Sequence, residues 1–237
     1  MSDSRVVGVR PVNEKDLQLV KIISSEIQTE GESALYLISV KYTNLVRLNL
    51  VLLKALLERK QKKGIMITID RPHQYVSHLL QLHGIDQTNL SFVDAISVQS
   101  SDTKGGAVAA EFQKGPFHIE VLPEFIAGSN GSNPDISSEF SMVEFVVMDN
   151  VSTLLTYNTM ASVETFFTKY LQVLRNRASQ RVITVLAMDK DVHPVLFEFV
   201  SEIATKTIEL SPDMQIRHVF QDNLGGLAKS DISKGVI

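Results

Sequence analysis

Short apolar runs alternate with longer amphipathic segments along most of this chain, and that alternation is its main structural signal. Apolar runs of this length, bounded by polar or turn-forming residues, are typical of buried strands. We predict such strands at 34–40, 65–69, 89–96, 142–148 and 181–188. Apolar positions recur at helical spacing in the segments between them. We predict helices over 16–27, 45–60, 72–82 and 160–179, and a further helix that starts near Pro194.

The order of these elements predicts an α/β fold. Strands that alternate with helices pair in parallel through right-handed crossovers, which places helices on both faces of the sheet. Two further runs, 207–210 and 215–220, flank a turn and predict a closing β-hairpin. We therefore expect a single domain over residues 17–221, built as a three-layer sandwich with a mostly parallel central sheet and a C-terminal hairpin.

The remaining segments lack a regular periodicity. Residues 1–16 are predicted to form a polar N-terminal arm and residues 222–237 a loose C-terminal tail. Gly, Ser, Asn and Asp are frequent in residues 97–139, which we interpret as a loop-rich insertion. This insertion and the broad apolar circumference of helix 45–60 would supply surface for contacts with another protein. Gly64 is predicted to end that helix in a left-handed conformation.

Composition narrows the function classes. The chain has 237 residues, 44% hydrophobic and 21% charged, which suits one large domain with a substantial core. Its formal net charge of −4 lacks the basic excess of a nucleic-acid-binding protein, so we expect no nucleic-acid partner. It contains no cysteine, which removes disulfides and thiolate metal sites. No apolar run matches a signal peptide or a membrane span, and we expect a cytoplasmic protein without a membrane partner.

The junction between the first strand and the next helix carries the most informative chemistry. In many α/β proteins a glycine-rich loop at this position turns its backbone N–H groups toward a phosphate. Here residues 41–44 read Lys-Tyr-Thr-Asn and contain no glycine. Bulky Tyr42 and β-branched Thr43 resist the positive φ angles that such a loop requires. Lys41, Thr43 and Asn44 are the candidate cofactor-binding residues at this position.

Two aspartates follow buried strands, at the sheet edge where ligands bind in open α/β folds. Asp70 is favoured as the N-terminal cap of the next helix, and a place in a ligand crevice is the alternative. Asp149 would start a turn or cap the helix that follows it, or else hold a metal ion or join a polar network. The residues alone leave both pairs of alternatives open.

Three stretches of the chain resemble the RecA superfamily and, within it, the archaeal KaiC-like and RadA-like ATPases. They are the strand, loop and helix over 34–60, GIMITID at 64–70 and FVVMDNVSTLL at 145–155. The resemblance implies a three-layer RecA-like sandwich. It places Asp70 where the family carries a catalytic glutamate, which makes Asp70 a candidate catalytic residue. It places Asp149 where a strand-ending aspartate helps to hold magnesium.

The phosphate loop of that superfamily is missing from this sequence. A loop of the form G-x-x-x-x-G-K-[S/T] is expected there, whereas residues 39–49 read SVKYTNLVRLN. We therefore predict a pseudo-ATPase, a catalytically degenerate RecA/KaiC-like domain that binds proteins in a regulatory or scaffolding role and holds no cofactor. Its partner would be an ATPase relative or further copies of itself as a homo-oligomer. The alternative is an ATPase-like enzyme, an NTP hydrolase, or a sensor that binds ATP with Mg²⁺ or another small ligand at the carboxyl edge of the sheet.

Overall fold

The computed structural model describes most of the predicted domain, and the following statements concern that part of the chain. The described residues are 14–27, 33–96, 110–112, 119, 123, 143–176 and 181–221. The predicted C-terminal tail, nearly all of the predicted arm and most of the predicted insertion therefore lie outside the described residues.

The described helices and strands follow the order that the sequence pattern predicts. The strands are β1 Ala34–Ser39, β2 Gly64–Thr68, β3 Leu90–Asp94, β4 Ala110–Phe112, β5 Phe145–Met148, β6 Ile183–Met188, β7 Lys206–Leu210 and β8 Ile216–Gln221. The α-helices are α1 Glu14–Glu26, α2 Leu45–Lys54, α3 His73–Leu82, α4 Leu154–Tyr157, α5 Met160–Asn176 and α6 Pro194–Ile203. Strand β4 lies inside the predicted insertion and has no counterpart among the predicted strands.

The described strands form one sheet in the order β4-β3-β2-β5-β6-β1-β7-β8. All neighbouring strands are parallel except β7 and β8, which form an antiparallel hairpin. The mostly parallel sheet and its C-terminal hairpin are therefore confirmed. Strand β6 lies between β5 and β1, so the loops after these three strands emerge side by side at the carboxyl edge.

Side chains from alternate strand positions enter two separate cores, because successive residues of a strand point to opposite faces. Tyr36 and Ile38 of β1 pack with α1, α2 and α3 on one face. Leu35 and Leu37 of the same strand pack with α4, α5 and α6 on the other face. The structure is thus a three-layer α/β/α sandwich, as predicted. Within the described residues, no helix is both long enough and apolar enough to cross a membrane.

Helix α2 is apolar over most of its circumference because it is covered on two sides. One side faces the sheet, and α1 packs against the other through buried side chains that include Leu19, Val20 and Ile23. An ion pair of 2.6 Å between Arg47 and Asp16 links the two helices. Since α1 already covers this surface, the prediction that the breadth of helix 45–60 provides a contact surface for a partner is wrong.

The end of this helix differs from the prediction. The helix passes into a π-helical turn at Ala55–Arg59, and the left-handed residue after it is Gln61, with a φ of 48°. Gly64 instead opens β2. A Cβ atom on Gly64 would lie 2.4 Å from carbon atoms of the Phe145 ring, so the glycine is required by close packing between β2 and β5.

We expect Gly64→Ala to destabilise the protein by roughly 1–3 kcal/mol, because the added methyl group overlaps the Phe145 ring. Urea unfolding followed by circular dichroism measures the change. Gly84→Ala is the contrasting variant: its φ of +64° strains any side chain but nothing lies within 4 Å of the added methyl group, so its cost should not change with Phe145→Leu. In the double variant with Phe145→Leu, the cost should be smaller than the sum of the single costs. Additive costs would contradict the overlap.

Candidate functional site

The carboxyl edge of the sheet brings together the loops that follow β1, β2, β5 and β6. These four strands are consecutive in the sheet, in the order β2-β5-β6-β1, and parallel strands end at the same edge. The loops supply Lys41 and Tyr42 after β1, Asp70 after β2, Asp149 after β5 and Asp189 after β6. The sequence-predicted residues after three of these strands therefore do lie at one edge.

The junction after β1 is a single 3₁₀ turn at Tyr42–Asn44 that runs directly into α2. Two of its backbone N–H groups are used locally: Asn44 donates to the Lys41 carbonyl at 2.8 Å, and Leu45 donates to the Tyr42 carbonyl. The N–H of Tyr42 points outward from the turn and donates to Oδ2 of Asp189 at 2.8 Å. The anion that this junction holds is therefore a carboxylate of the chain itself.

The three candidate cofactor-binding residues do not converge on a common point. Lys41 forms an ion pair with Asp191, which raises the pKa of the lysine and lowers the pKa of the aspartate. Asn44 donates from Nδ2 to the carbonyl of Pro212 at 2.7 Å, in the turn between β7 and β8. Thr43 is exposed to solvent. Lys41 and Asn44 are thus paired with other residues of the chain, and Thr43 faces water.

Asp149 is buried after the end of β5 and links the ends of β5 and β2. Its carboxylate accepts hydrogen bonds from the N–H of Ile69 at 2.7 Å and from the N–H of Asp70 at 3.2 Å. Burial raises the pKa of Asp149 to about 7, although the two N–H donors oppose this effect. The predicted helix cap is a different residue, because Asn150 accepts from the Ser152 N–H at 3.1 Å. Asp149 therefore belongs to a polar network.

Asp70 is not the cap of α3, contrary to the favoured prediction. The N–H of His73 in the first turn of α3 donates to Asp94 at 2.8 Å, because the end of β3 reaches that helix start. The Asp70 carboxylate instead accepts from the Thr153 hydroxyl at 3.1 Å and lies 3.6 Å from Nε of Arg71. It lines a cleft, and its place in a ligand site stays a prediction.

That cleft lies between α2 and α3 and encloses about 330 Å³, counting the part that opens to solvent. Its walls are mainly apolar, and its polar members are Asn49, Asp70, Arg71 and Asp149. The lining residues are Leu45, Val46, Asn49, Leu50, Asp70, Arg71, Tyr75, Val76, Leu79 and Asp149.

Three polar residues at this edge are not among the predicted candidates. Asp189 follows a buried strand in the same way as Asp70 and Asp149, so the same signal was present in the sequence. Its role depends on the strand order, which places β6 directly beside β1. Asp191 is a plausible helix start in the sequence, yet it pairs with Lys41 and His193 occupies the N-cap position of α6. Asn49 looks like a minor polar interruption of an apolar helix.

Comparisons with known proteins agree with this architecture. No protein-family model matches the sequence, and no curated protein matches it. A KaiC-like protein from the hyperthermophilic archaeon Pyrococcus horikoshii OT3 has a similar crystal structure, with a TM-score of 0.51 and 13% sequence identity over 80% of this chain and 79% of that one. An uncharacterized protein from Pyrococcus horikoshii, crystallised in complex with an unknown peptide, has a TM-score of 0.55 and 17% identity over 81% of this chain and 82% of that one. At these identities the similarity shows the fold, which is RecA-like and of the kind found in KaiC-like proteins.

Proposed function

We propose that this chain is a catalytically degenerate RecA-like domain that acts by binding proteins, in a regulatory or scaffolding role. The observation that carries the proposal is the hydrogen bond between the Tyr42 N–H and Asp189. In a phosphate-binding junction this N–H would face a phosphate oxygen. Here the position is taken by a carboxylate that is covalently part of the chain, so a ligand would have to displace it.

The charges around the junction support the same proposal. Asp70 and Asp189 lie at this edge, and the charge of Lys41 is balanced by Asp191. A triphosphate would bring further negative charge next to these carboxylates, and like charges a few ångströms apart repel by about 1–4 kcal/mol at the dielectric constants of a protein surface. The edge therefore disfavours the anion that a nucleotide would place there.

The same contacts argue against a magnesium site. Both oxygens of Asp149 face backbone N–H donors, which leaves poor access for a cation that needs near-octahedral oxygen ligands. Across the parts of the chain that the structure describes, no three His, Asp or Glu side chains are grouped so as to hold a metal ion. The residues at the predicted magnesium position therefore do not fit this metal, and we assign Asp149 a structural role.

A protein partner is supported by exposed apolar side chains that follow the carboxyl ends of the strands. Tyr42 is 46% exposed and Tyr75 is 42% exposed. After β6, Val192 and Val195 are 48% and 67% exposed. Exposed tyrosines are enriched at protein interfaces, and all four side chains belong to segments that follow the carboxyl ends of β1, β2 and β6. In addition, the uncharacterized Pyrococcus protein of similar fold contains a bound peptide, so a polypeptide ligand is compatible with the fold.

We expect calorimetric titration of the full chain with ATP or ADP, with and without Mg²⁺, to show no binding at about 1 mM nucleotide, a limit of roughly −4 kcal/mol. Pyrophosphate should bind more tightly to Asp189→Ala than to the unmodified chain, because the variant removes the competing carboxylate. Asp213→Ala, on the exposed hairpin turn, is the control for the change in net charge. A magnesium-dependent ATP turnover that is lost in Asp149→Asn would overturn the proposal and establish the NTP hydrolase.

The structural role of Asp149 predicts a pH dependence of stability. Its pKa is about 7 in the folded protein and 3.8 for an unperturbed aspartate, so the folded state binds more protons between these pH values. The free energy of unfolding should therefore fall as pH rises from about 4 to about 7, by up to about 4 kcal/mol. Urea unfolding at several pH values measures this, and the fall should be absent in Asp149→Asn relative to Asp213→Asn. If Mg²⁺ removed the fall in the unmodified chain, Asp149 would be a metal ligand.

If the partner is a further copy of the chain, sedimentation velocity should show self-association that increases with protein concentration. Val195→Asp should weaken this association at least about tenfold, because it places a charge on the most exposed of these apolar side chains. Leu82→Asp is the control, since Leu82 is 43% exposed and is the last residue of α3, on a different helix from Val195. A chain that stays monomeric up to about 100 μM, the weak end of specific protein association, would exclude copies of itself as the partner.

A further inference from the structure

We propose that the outer edge of β8 binds an extended segment of a partner protein as a further β-strand, and that this segment carries a carboxylate beside consecutive apolar side chains. The proposal rests on the proposed function, because it names the chemistry of the protein partner. It concerns the last strand of the sheet, whereas the phosphate-loop position follows β1.

The backbone of β8 supplies the first argument. Among the described strands, β8 is the last in the sheet and has a neighbour, β7, on one side. Within the described residues, its backbone hydrogen bonds go to β7 alone. The N–H and C=O groups on its other side therefore lack a partner in this part of the chain. A row of such groups is a template for pairing with another extended chain.

Strand β8 also lacks two features that protect many natural sheet edges from pairing. It contains neither proline nor lysine, which are common at protected edges. A bulge near its start leaves Arg217 without an opposite residue in β7, and residues 218–221 beyond the bulge pair regularly with β7. These four residues therefore present a regular edge.

Apolar side chains on both faces of β8 supply the second argument. Val219 lies opposite Ile208, whose side chain belongs to the core that α1 and α2 cover. Phe220 follows on the other face, where its ring centre lies 5.7 Å from that of His218. Val219 and Phe220 are both exposed, so the helices leave β8 partly uncovered on each face. A strand added beside β8 with apolar residues at two successive positions would cover both side chains.

Charge complementarity indicates which strand fits this edge. In β7, Glu209 is paired with Lys190 and Lys206 is paired with Glu26, each at 2.6 Å. In β8, Arg217 is exposed and forms no ion pair within the described part of the chain. Strand β8 contains no acidic residue, so a second copy of it would supply no carboxylate to Arg217. An acidic segment of a different protein therefore fits the edge better than a second β8.

The experiment titrates the peptide acetyl-Thr-Ile-Val-Thr-Glu-Thr-amide into the ¹⁵N-labelled full chain, followed by NMR. Paired antiparallel with β8, this peptide places its glutamate opposite Arg217 and its Ile-Val pair opposite Phe220 and Val219. We expect saturable amide shifts at Val219 and Phe220 with a Kd of about 1 mM, slower hydrogen exchange in β8, and no shift at Leu82. No saturable shift up to about 5 mM peptide would overturn the proposal.

Two altered peptides test the backbone and the charge separately. The same peptide methylated on every backbone nitrogen should not bind, because it has no N–H group to donate to β8. The peptide with lysine in place of glutamate should bind about fivefold more weakly, because a like-charge pair replaces an opposite-charge pair. Binding of the methylated peptide would exclude strand pairing, and equal binding of the lysine peptide would exclude the acidic partner.

A charge reversal in the protein tests the role of Arg217. Arg217→Glu should reverse the preference, so that the lysine peptide binds more tightly than the glutamate peptide. Arg181→Glu is the matched control, since Arg181 is an exposed arginine before β6, and it should keep the original preference. An unchanged preference in Arg217→Glu, with an unfolding midpoint in urea close to that of the control, would exclude Arg217 as the recognition residue.

Further results distinguish this proposal from the proposed function. If neither the peptide nor a nucleotide binds, the strand pairing at β8 is overturned and the proposed function stands. Magnesium-dependent ATP turnover would overturn the proposed function, whereas the peptide titration would still decide the pairing at β8. Self-association of the full chain that is lost in Phe220→Lys would assign the edge to a second copy and overturn the acidic partner.

Discussion

The hydrogen bond from the Tyr42 N–H to Asp189 determines which anion the junction after β1 holds at the carboxyl edge of the sheet. A parallel α/β sheet collects the ends of its strands at one edge, and that edge is where such folds bind ligands. In this chain the junction after β1 has one N–H directed away from its own turn toward an anion, and β6 supplies the anion. Because β6 is the direct neighbour of β1, the contact follows from the strand order and a single aspartate.

The other polar groups of the edge are arranged around that contact. Lys41 turns to Asp191 in the same loop after β6, and Asn44 turns to the hairpin after β7. Asp149 holds the ends of β2 and β5 through two backbone N–H groups. Lys41, Asn44 and Asp149 are therefore occupied by contacts within the protein, whereas Thr43 faces solvent.

The sequence pattern was sufficient for the architecture, because the alternation of buried strands and amphipathic helices is a local signal that tertiary packing reinforces. The pattern did not predict contacts that a residue makes with an element distant in the sequence. The apolar breadth of α2 predicted a surface for a partner, whereas α1 of the same chain covers it. Gly64 carried a helix-end signal, yet its real constraint is the Phe145 ring on a strand far away in the sequence. The cap of α3 similarly comes from Asp94 on β3.

The contact between Asp189 and the Tyr42 N–H limits which mutations could give this protein a phosphate site. Glycines introduced at positions 41–44 would relax the backbone there, yet the carboxylate from β6 would still occupy the N–H group and repel a phosphate. Replacing Asp189 alone would free the N–H group without creating a curved loop. The glycines would have little effect while Asp189 is present, and loss of Asp189 alone would give only weak anion binding, so a nucleotide-binding descendant is separated from this protein by at least two substitutions.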